Sequence, residues 1–226
     1  MLEGATLLGE ALAAGVEVEL VLAAGDDPAV DAARQAGVTV VAASPEAVRA
    51  AASTVTPQPI VAAARWCDAP ADVLDHAAFA LVAAGLADPG NAGTLIRSAH
   101  AAGADAVVLG PGSVDAFNPK VVRAAAGALF RVPLVLSLST EDALDRLGRA
   151  GVRRLGAAAR EGDPYDRVDL RAPAALVVGS EAHGLAPEVR ARLDGLVHIP
   201  MREGAESLNA GVAGSILCFE VARQRR

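Results

Sequence analysis

From Phe79 onward the chain alternates between short, largely apolar runs and longer runs with helical periodicity. The apolar runs are FALVAAGL (79–86), AVVLG (106–110), RVPLVLSL (131–138), RRLGAAA (153–159), AALVVG (174–179) and LVHIP (196–200). Helices are predicted between them at 91–102, 119–129, 141–150, 187–194 and 207–223. Strands without a polar face, separated by helices, predict a parallel sheet covered on both sides. Helix starts are well marked. Asn118 is placed to cap a helix with Pro119 in its first position. Ser139-Thr140 precedes Glu141 and Asp142, whose charge suits the positive end of the helix dipole.

Residues 1–63 carry a second, smaller α/β pattern. A helix over 6–14 stops at Gly15, and a strand follows over 16–23. A short helix over 29–36 closes at Gly37 and leads into a strand at 38–42. Ser44-Pro45-Glu46 starts another helix, Thr56-Pro57-Gln58-Pro59 turns the chain, and 60–64 is a third strand. The Pro-containing polar run 65–77 reads as a connector. The predicted organisation is therefore a small α/β domain over 1–64, a connector over 65–77 and an α/β parallel-sheet domain over 78–226.

Three polar clusters follow strands, at the ends where open α/β sheets bind ligands. The first is Asp88-Pro89-Gly90-Asn91-Ala92-Gly93, with Arg97 further along the same predicted helix. The second is Gly179-Ser180-Glu181-Ala182-His183-Gly184. The third runs from Ile199 through Met201 to Ser207-Leu208-Asn209, where Ser207 is placed to cap the last helix. Each also has a plain structural reading: a helix cap and a surface arginine, a tight turn, a C-terminal helix on the core. Gly211 and Gly214 each cost that last helix about 1 kcal/mol relative to Ala. Close packing of another helix, for instance at a subunit contact, would explain them. The spacings match neither G-x-G-x-x-G nor a P-loop nor the G-x-S-x-G elbow, so a dinucleotide site, an NTPase and a serine hydrolase are unsupported.

Composition narrows the classes further. With 53% hydrophobic and 21% charged residues among 226, the chain can bury a full core. Only 3% are aromatic, so that core is Ala, Val and Leu. No run reaches the ~20 apolar residues of a membrane span. The N-terminus, with Glu3 and Glu10, lacks the basic start of a signal peptide. Cys67 and Cys218 stand far apart in unlike contexts and read as idle thiols of a cytoplasmic protein. His76, His100, His183 and His198 lack metal-ligand spacing, so no metal is expected. The net charge of −7 argues against charge-driven binding of nucleic acid by the whole surface, though not against a local basic patch. Lys120 is the only lysine, so Arg carries nearly all the positive charge.

NAGTLIR, GSEAHGL and IPMREGAESLN, in this order and spacing, resemble motifs 1, 2 and 3 of the SpoU (TrmH-like) branch of the SPOUT RNA methyltransferases. The resemblance extends through DAFNPKVVRAAAGALFRVP (115–133) and the ending CFEVARQ, and covers about 79–226. Residues 3–63, with EGATLLGEAL and TPQPIVA, resemble the ribosomal-protein-L30e-like substrate-binding domain that precedes many such catalytic domains. That match begins late, so the small domain is expected to be shortened at its N-terminus.

The resemblance implies a SPOUT fold whose C-terminal segment forms a deep trefoil knot. It implies S-adenosylmethionine as cofactor, with Gly179, Ile199, Met201 and Leu208 at its pocket. It also implies a homodimer that uses the final helix. The implied reaction is methyl transfer to a ribose 2'-hydroxyl, with 23S rRNA, favoured by the small RNA-binding domain, as the expected substrate. Methylation of tRNA, or a non-catalytic role in RNA binding or ribosome assembly, are the alternatives. Arg97 matches the arginine assigned as base or as the group orienting ribose and phosphate; a guanidinium is almost never deprotonated. Asn91, Glu181, Ser207 and Asn209 match the polar residues that position it and the RNA, and Lys120 and Arg123 are expected as phosphate contacts.

Overall fold

The protein is described from a computed structural model, which covers every residue except Trp66, Cys67 and Ala205. The expected idle thiol at Cys67 therefore lies outside the described residues. The chain forms two compact units, Met1–Cys67 and Asp68–Arg226.

The first unit contains β1 (Leu2–Glu3), α1 (Ala5–Ala13), β2 (Val18–Ala23), α2 (Pro28–Gln35), β3 (Thr39–Ala42), α3 (Pro45–Ala51) and β4 (Ile60–Ala64). Its sheet has the order β1-β4-β2-β3. The β2 and β3 strands are parallel, while β4 runs antiparallel to β1 and β2. Both proline-started helices are capped by the preceding side chain: Asp27 accepts from the Ala29 N–H at 2.8 Å and Ser44 from the Ala47 N–H at 3.3 Å. Leu8, Val21, Val30 and Ile60 fill the space between helices and sheet.

The second unit contains strands β5 (Phe79–Ala84), β6 (Ala106–Leu109), β7 (Leu134–Val135), β8 (Arg153–Ala158), β9 (Asp163–Pro164), β10 (Ala174–Gly179) and β11 (Gly195–His198). Its helices are α4 (Pro89–Ala101), α5 (Pro119–Ala125), α6 (Thr140–Arg149), α7 (Pro187–Arg190) and α8 (Ala210–Gln224). The strands form one sheet in the order β7-β6-β5-β10-β8-β11-β9, and every pairing in it is parallel. The central strands β5 and β10 are buried at every position, which is why their sequences show no alternation.

Several expected boundaries shift, each for a local reason. From Asp68 on, the run 65–77 belongs to the second unit. Ala71–His76 forms a 3-10 helix, Leu74 is fully buried in the core beside Leu144 and Leu147, and Arg146 forks the Asp75 carboxylate at 2.7 and 2.5 Å. The strand expected over 131–138 shortens to Leu134–Val135, after Pro133, whose nitrogen cannot donate to a ladder. The helix expected over 187–194 is a single turn. The α4 helix begins at Pro89 because Asp88 caps it, its carboxylate accepting from the Asn91 N–H at 2.7 Å. The last helix begins at Ala210, not at Ser207. Asn209 is its cap and accepts from the Val212 N–H at 3.1 Å, so Ser207 has no capping role. Both residue types cap well, and periodicity does not choose between caps two residues apart.

The glycines of α8 find their partner within the chain. A Cβ on Gly214 would lie 2.3 Å from Leu95 Cδ2 of α4, and one on Gly211 would lie 3.1 Å from Asn91 Oδ1. On the opposite flank of α4, a Cβ on Gly93 would lie 2.4 Å from Ala124 Cβ and 2.9 Å from the Ala125 backbone nitrogen. Backbone cannot swing aside as a side-chain tip can. Gly93→Ala is therefore expected to destabilise the second unit by ~1–3 kcal/mol through overpacking. Gly9→Ala in α1, where nothing lies within 4 Å of the added carbon, is expected to stabilise the first unit by up to ~1 kcal/mol. Urea unfolding of the two variants checks both signs.

Candidate active site

The C-terminal ends of β8, β10 and β11 open into a cavity of about 410 Å³. Ala157, Ala158 and Ala159 line it at the end of β8, and Val178 to Glu181 with Gly184 line it at the end of β10. Val197 of β11 contributes, as do Ile199 and Met201 just after it. Ser207 to Ala210 follow, and Ala213 and Leu217 of α8 complete the lining. The volume falls within the ~300–1,000 Å³ of small-molecule sites. The lining is small, apolar and rich in backbone, with few polar side chains.

The turn leaving β10 is tight. Ser180 and Gly184 exchange backbone hydrogen bonds at 3.0 and 2.9 Å, and the Ser180 hydroxyl accepts from the His183 N–H at 3.1 Å. Gly184 has φ +65°, a left-handed conformation that favours glycine. A Cβ on Gly179 would lie 2.4 Å from the Gly184 carbonyl, so the turn folds back over a residue that has no side chain.

Glu181 joins this turn to α4. Its carboxylate accepts from Asn91 Nδ2 at 2.8 Å and from the backbone N–H groups of Ala87 and Asp88, both at 3.3 Å. Partial burial pushes the Glu181 carboxyl up, but the hydrogen bonds from Asn91 and the backbone together outweigh it. The net pKa lies below the ordinary value of 4.5. Asn91 is itself buried, at 8% exposure. The Asn91 and Asn209 carboxamides converge on Gly211, within 3.1 and 3.2 Å of where its Cβ would stand.

Seven of the residues singled out from the sequence line this one cavity: Gly179, Glu181, Ile199, Met201, Ser207, Leu208 and Asn209. Asn91 reaches it through Glu181. Arg97, Lys120 and Arg123 are not among its lining residues. Arg97 is exposed on α4, and its side chain makes no ion pair or hydrogen bond among the described residues. Lys120 and Arg123 lie on α5, which packs against α4 at Gly93 and Ala124. His183 faces a second cavity, of about 890 Å³, on the other side of Glu181 beside Thr140 and Glu141. Burial pushes the Cys218 thiol up to about 12, so it stays protonated and is no nucleophile. Among the described residues, no three His, Cys, Asp or Glu side chains are grouped as metal ligands.

Sequence reasoning missed the wall formed by Ala157, Ala158 and Ala159, and the contribution of Ala213 and Leu217. Alanine carries no chemical signal. Only the placement of β8 between β10 and β11 reveals that its end faces a ligand-sized space.

The model of the SpoU rRNA Methylase family matches residues 78–219, and the chain belongs to this family. The chain is 36% identical over 222 residues to the 23S rRNA (guanosine(2553)-2'-O)-methyltransferase RlmP of Bacillus subtilis (strain 168), a match spanning 98% of this chain and 87% of that protein. It is also 36% identical over 200 residues to the 23S rRNA (guanosine-2'-O-)-methyltransferase RlmB of Ralstonia nicotianae, spanning 86% of this chain and 80% of that one. Among solved structures, the SpoU methyltransferase AviRb from Streptomyces viridochromogenes, in complex with AdoMet, superposes with a TM-score of 0.87. That match has 28% identity and covers 99% of this chain and 89% of AviRb. The α/β fold with its large parallel sheet is that of the SpoU methyltransferases.

The Glu181 carboxylate has a pH signature. Because its folded pKa is depressed, the stabilisation it brings is present above the unfolded value and is lost as pH falls through the folded pKa. Glu181→Gln is expected to cost ~1 kcal/mol at neutral pH, discounted for the solvent at the carboxylate's edge. That difference from the unsubstituted protein is expected to shrink as pH falls below 4.5, the ordinary value of this group. Thermal unfolding of both proteins across acid and neutral pH measures it.

Proposed function

We propose that this chain transfers a methyl group from S-adenosylmethionine to a ribose 2'-hydroxyl of 23S rRNA. The observation that carries this reading is the cavity at the ends of β8, β10 and β11, where residues of the second and third motifs meet and Glu181 ties in Asn91 of the first. The rRNA substrate class is supported by a relative that matches 98% of the chain and is named for this reaction.

The cavity fits the cofactor. Its alanine wall and its glycine at position 179 leave room against the backbone, Ile199, Met201 and Leu208 offer apolar faces, and Glu181 sets a carboxylate at one side. Once bound, S-adenosylmethionine supplies a methyl group that is already strongly electrophilic. What remains for the chain is to align the 2'-oxygen with that methyl group and to stabilise the oxygen as its proton leaves to solvent water. Glu181, held by Asn91 and two backbone N–H groups, fixes the start of α4 relative to the cavity. It thereby sets where Arg97 stands. A guanidinium that stays charged donates hydrogen bonds. Arg97 in this role grips a phosphate or the ribose and stabilises negative charge developing on the 2'-oxygen. Ser207 and Asn209 present polar groups at the cavity side of the same path, and Lys120 and Arg123 on α5 continue the cationic flank beyond α4.

The unit over Met1–Cys67 serves in this reading as an L30e-like domain that holds the RNA. The segment after β11 completes a trefoil knot. In support, β11 lies beyond β8 on the side away from β10, yet α8 returns to pack against Leu95 of α4 and Val178 of β10. The protein works as a homodimer through α8, whose Val212 and Phe219 stand two turns apart on one face with 47% of each exposed. The reaction takes place in the cytoplasm; no helix among the described residues is long and apolar enough to cross a membrane.

Transfer of labelled methyl groups to rRNA from cells lacking the protein, followed by mapping of the modified ribose, tests the function. Label is expected in 23S rRNA at a 2'-oxygen. Label in tRNA alone would replace the substrate, and no label in either would remove the activity. Arg97→Ala is expected to lower the transfer rate by ~100-fold or more while the affinity for S-adenosylhomocysteine stays unchanged. For assembly, Phe219→Glu is expected to shift the mass measured by light scattering from two chains to one.

A further inference from the structure

Beside the cofactor-sized cavity lies a smaller one of about 230 Å³ that shares Ala159, Ile199 and Met201 with it. Arg160, His198 and Arg202 line it, and Glu203 is its one carboxylate among the described residues. The His198 Nδ1 stands 3.1 Å from the Gly162 carbonyl oxygen. A carbonyl only accepts, so Nδ1 carries the hydrogen, and Nε2 of the neutral ring is an acceptor suited to a ribose hydroxyl rather than to a phosphate oxygen. Gly162 has φ +84°, and its Cβ would lie 2.1 Å from the Leu196 carbonyl, so the strand edge behind the imidazole has no room for a side chain there. Arg202 is exposed and has no hydrogen bond or ion pair among the described residues.

The charge balance gives this cluster its weight. With a net charge of −7, the chain must hold a polyanion through local cations. Many arginines of the second unit are already neutralised: Arg146 by Asp75, Arg154 by Asp194, Arg190 by Glu161, Arg192 by Asp145 and Arg223 by Glu220. Arg202 is not, and it follows β11 on one side of the larger cavity. Arg97 and Lys120 lie on the helices that follow β5 and β6, on the other side. In the sheet order β6 and β11 are four strand steps apart, or ~19 Å at ~4.8 Å per step. A polynucleotide with one ribose presented at the cavity meets cations on both flanks.

We propose that Arg202, beside Arg160, forms a second phosphate-binding subsite that grips the RNA on the β11 side of the cavity. This rests on the RNA-methyltransferase reading above and adds to it a contact on the flank away from Arg97. The subsite sets RNA affinity and its salt dependence, and takes no part in holding the cofactor.

Filter binding of the full chain to transcribed 23S rRNA over a series of salt concentrations tests it, with calorimetry of S-adenosylhomocysteine as the second readout. Arg202→Gln is expected to weaken RNA binding about five-fold at low salt. It is also expected to reduce the slope of log K against log salt by ~0.7–0.9, the loss of one phosphate contact. S-adenosylhomocysteine binding stays unchanged. If the unsubstituted protein binds RNA and Arg202→Gln binds with the same affinity and slope, the subsite is wrong and the function stands. If S-adenosylhomocysteine affinity falls instead, the small cavity serves the cofactor and the proposal is overturned. If the unsubstituted protein binds no RNA at any salt concentration, the functional reading itself fails and takes the subsite with it.

Discussion

The carboxylate of Glu181 ties together two loops that are far apart in the chain. It leaves β10 and reaches the first turn of α4, where it collects the Asn91 carboxamide and the backbone N–H groups of Ala87 and Asp88. Ala87 and Asp88 immediately precede the helix, so a carboxylate on their N–H groups also meets the positive end of the helix dipole favourably. Two further polar groups of the site are registered to this contact. Asn91 is fixed by it, Asn209 converges with Asn91 on Gly211, and Asn209 in turn starts α8.

Glycine makes this convergence possible. At Gly179 and Gly214 a backbone or side-chain atom occupies the space a Cβ would need, and at Gly211 the Asn91 carboxamide stands close to it. The turn after β10 folds onto its own strand, and α8 lies close on α4. The cost to helix propensity at positions 211 and 214 is repaid by contact with Asn91, Leu95 and Val178. A core of Ala, Val and Leu suits such packing, because small side chains let main chains approach. On the outer side, Gly93 does the same between α4 and α5 and brings the helix of Arg97 beside the helix of Lys120 and Arg123.

Much of this was legible in the sequence, for identifiable reasons. Strands buried on both faces leave no alternation, and AALVVG and FALVAA stood out for that. The three polar clusters were visible because polar residues and glycines after a buried strand need an explanation. What was hidden was of another kind. The choice of Asn209 over Ser207 as the cap depends on where the loop before α8 is drawn, which is a tertiary constraint. Ala71–His76 read as connector because the burial of Leu74 depends on α6. The alanine wall after β8 carries no pattern, and its importance comes only from strand order. Arg202 sat unremarked inside a motif whose neighbours drew attention, and its lack of a partner is a fact of the fold.

The central claim is that three loops at the C-terminal edge of the sheet form one cofactor pocket. A crystal structure of the protein with S-adenosylhomocysteine tests it most directly. The account places the ligand between Ala157–Ala159, the turn from Gly179 to Gly184, Ile199–Met201 and Leu208–Ala213. A ligand seated instead in the cavity beside Thr140, Glu141 and His183, on the far side of Glu181, would contradict it.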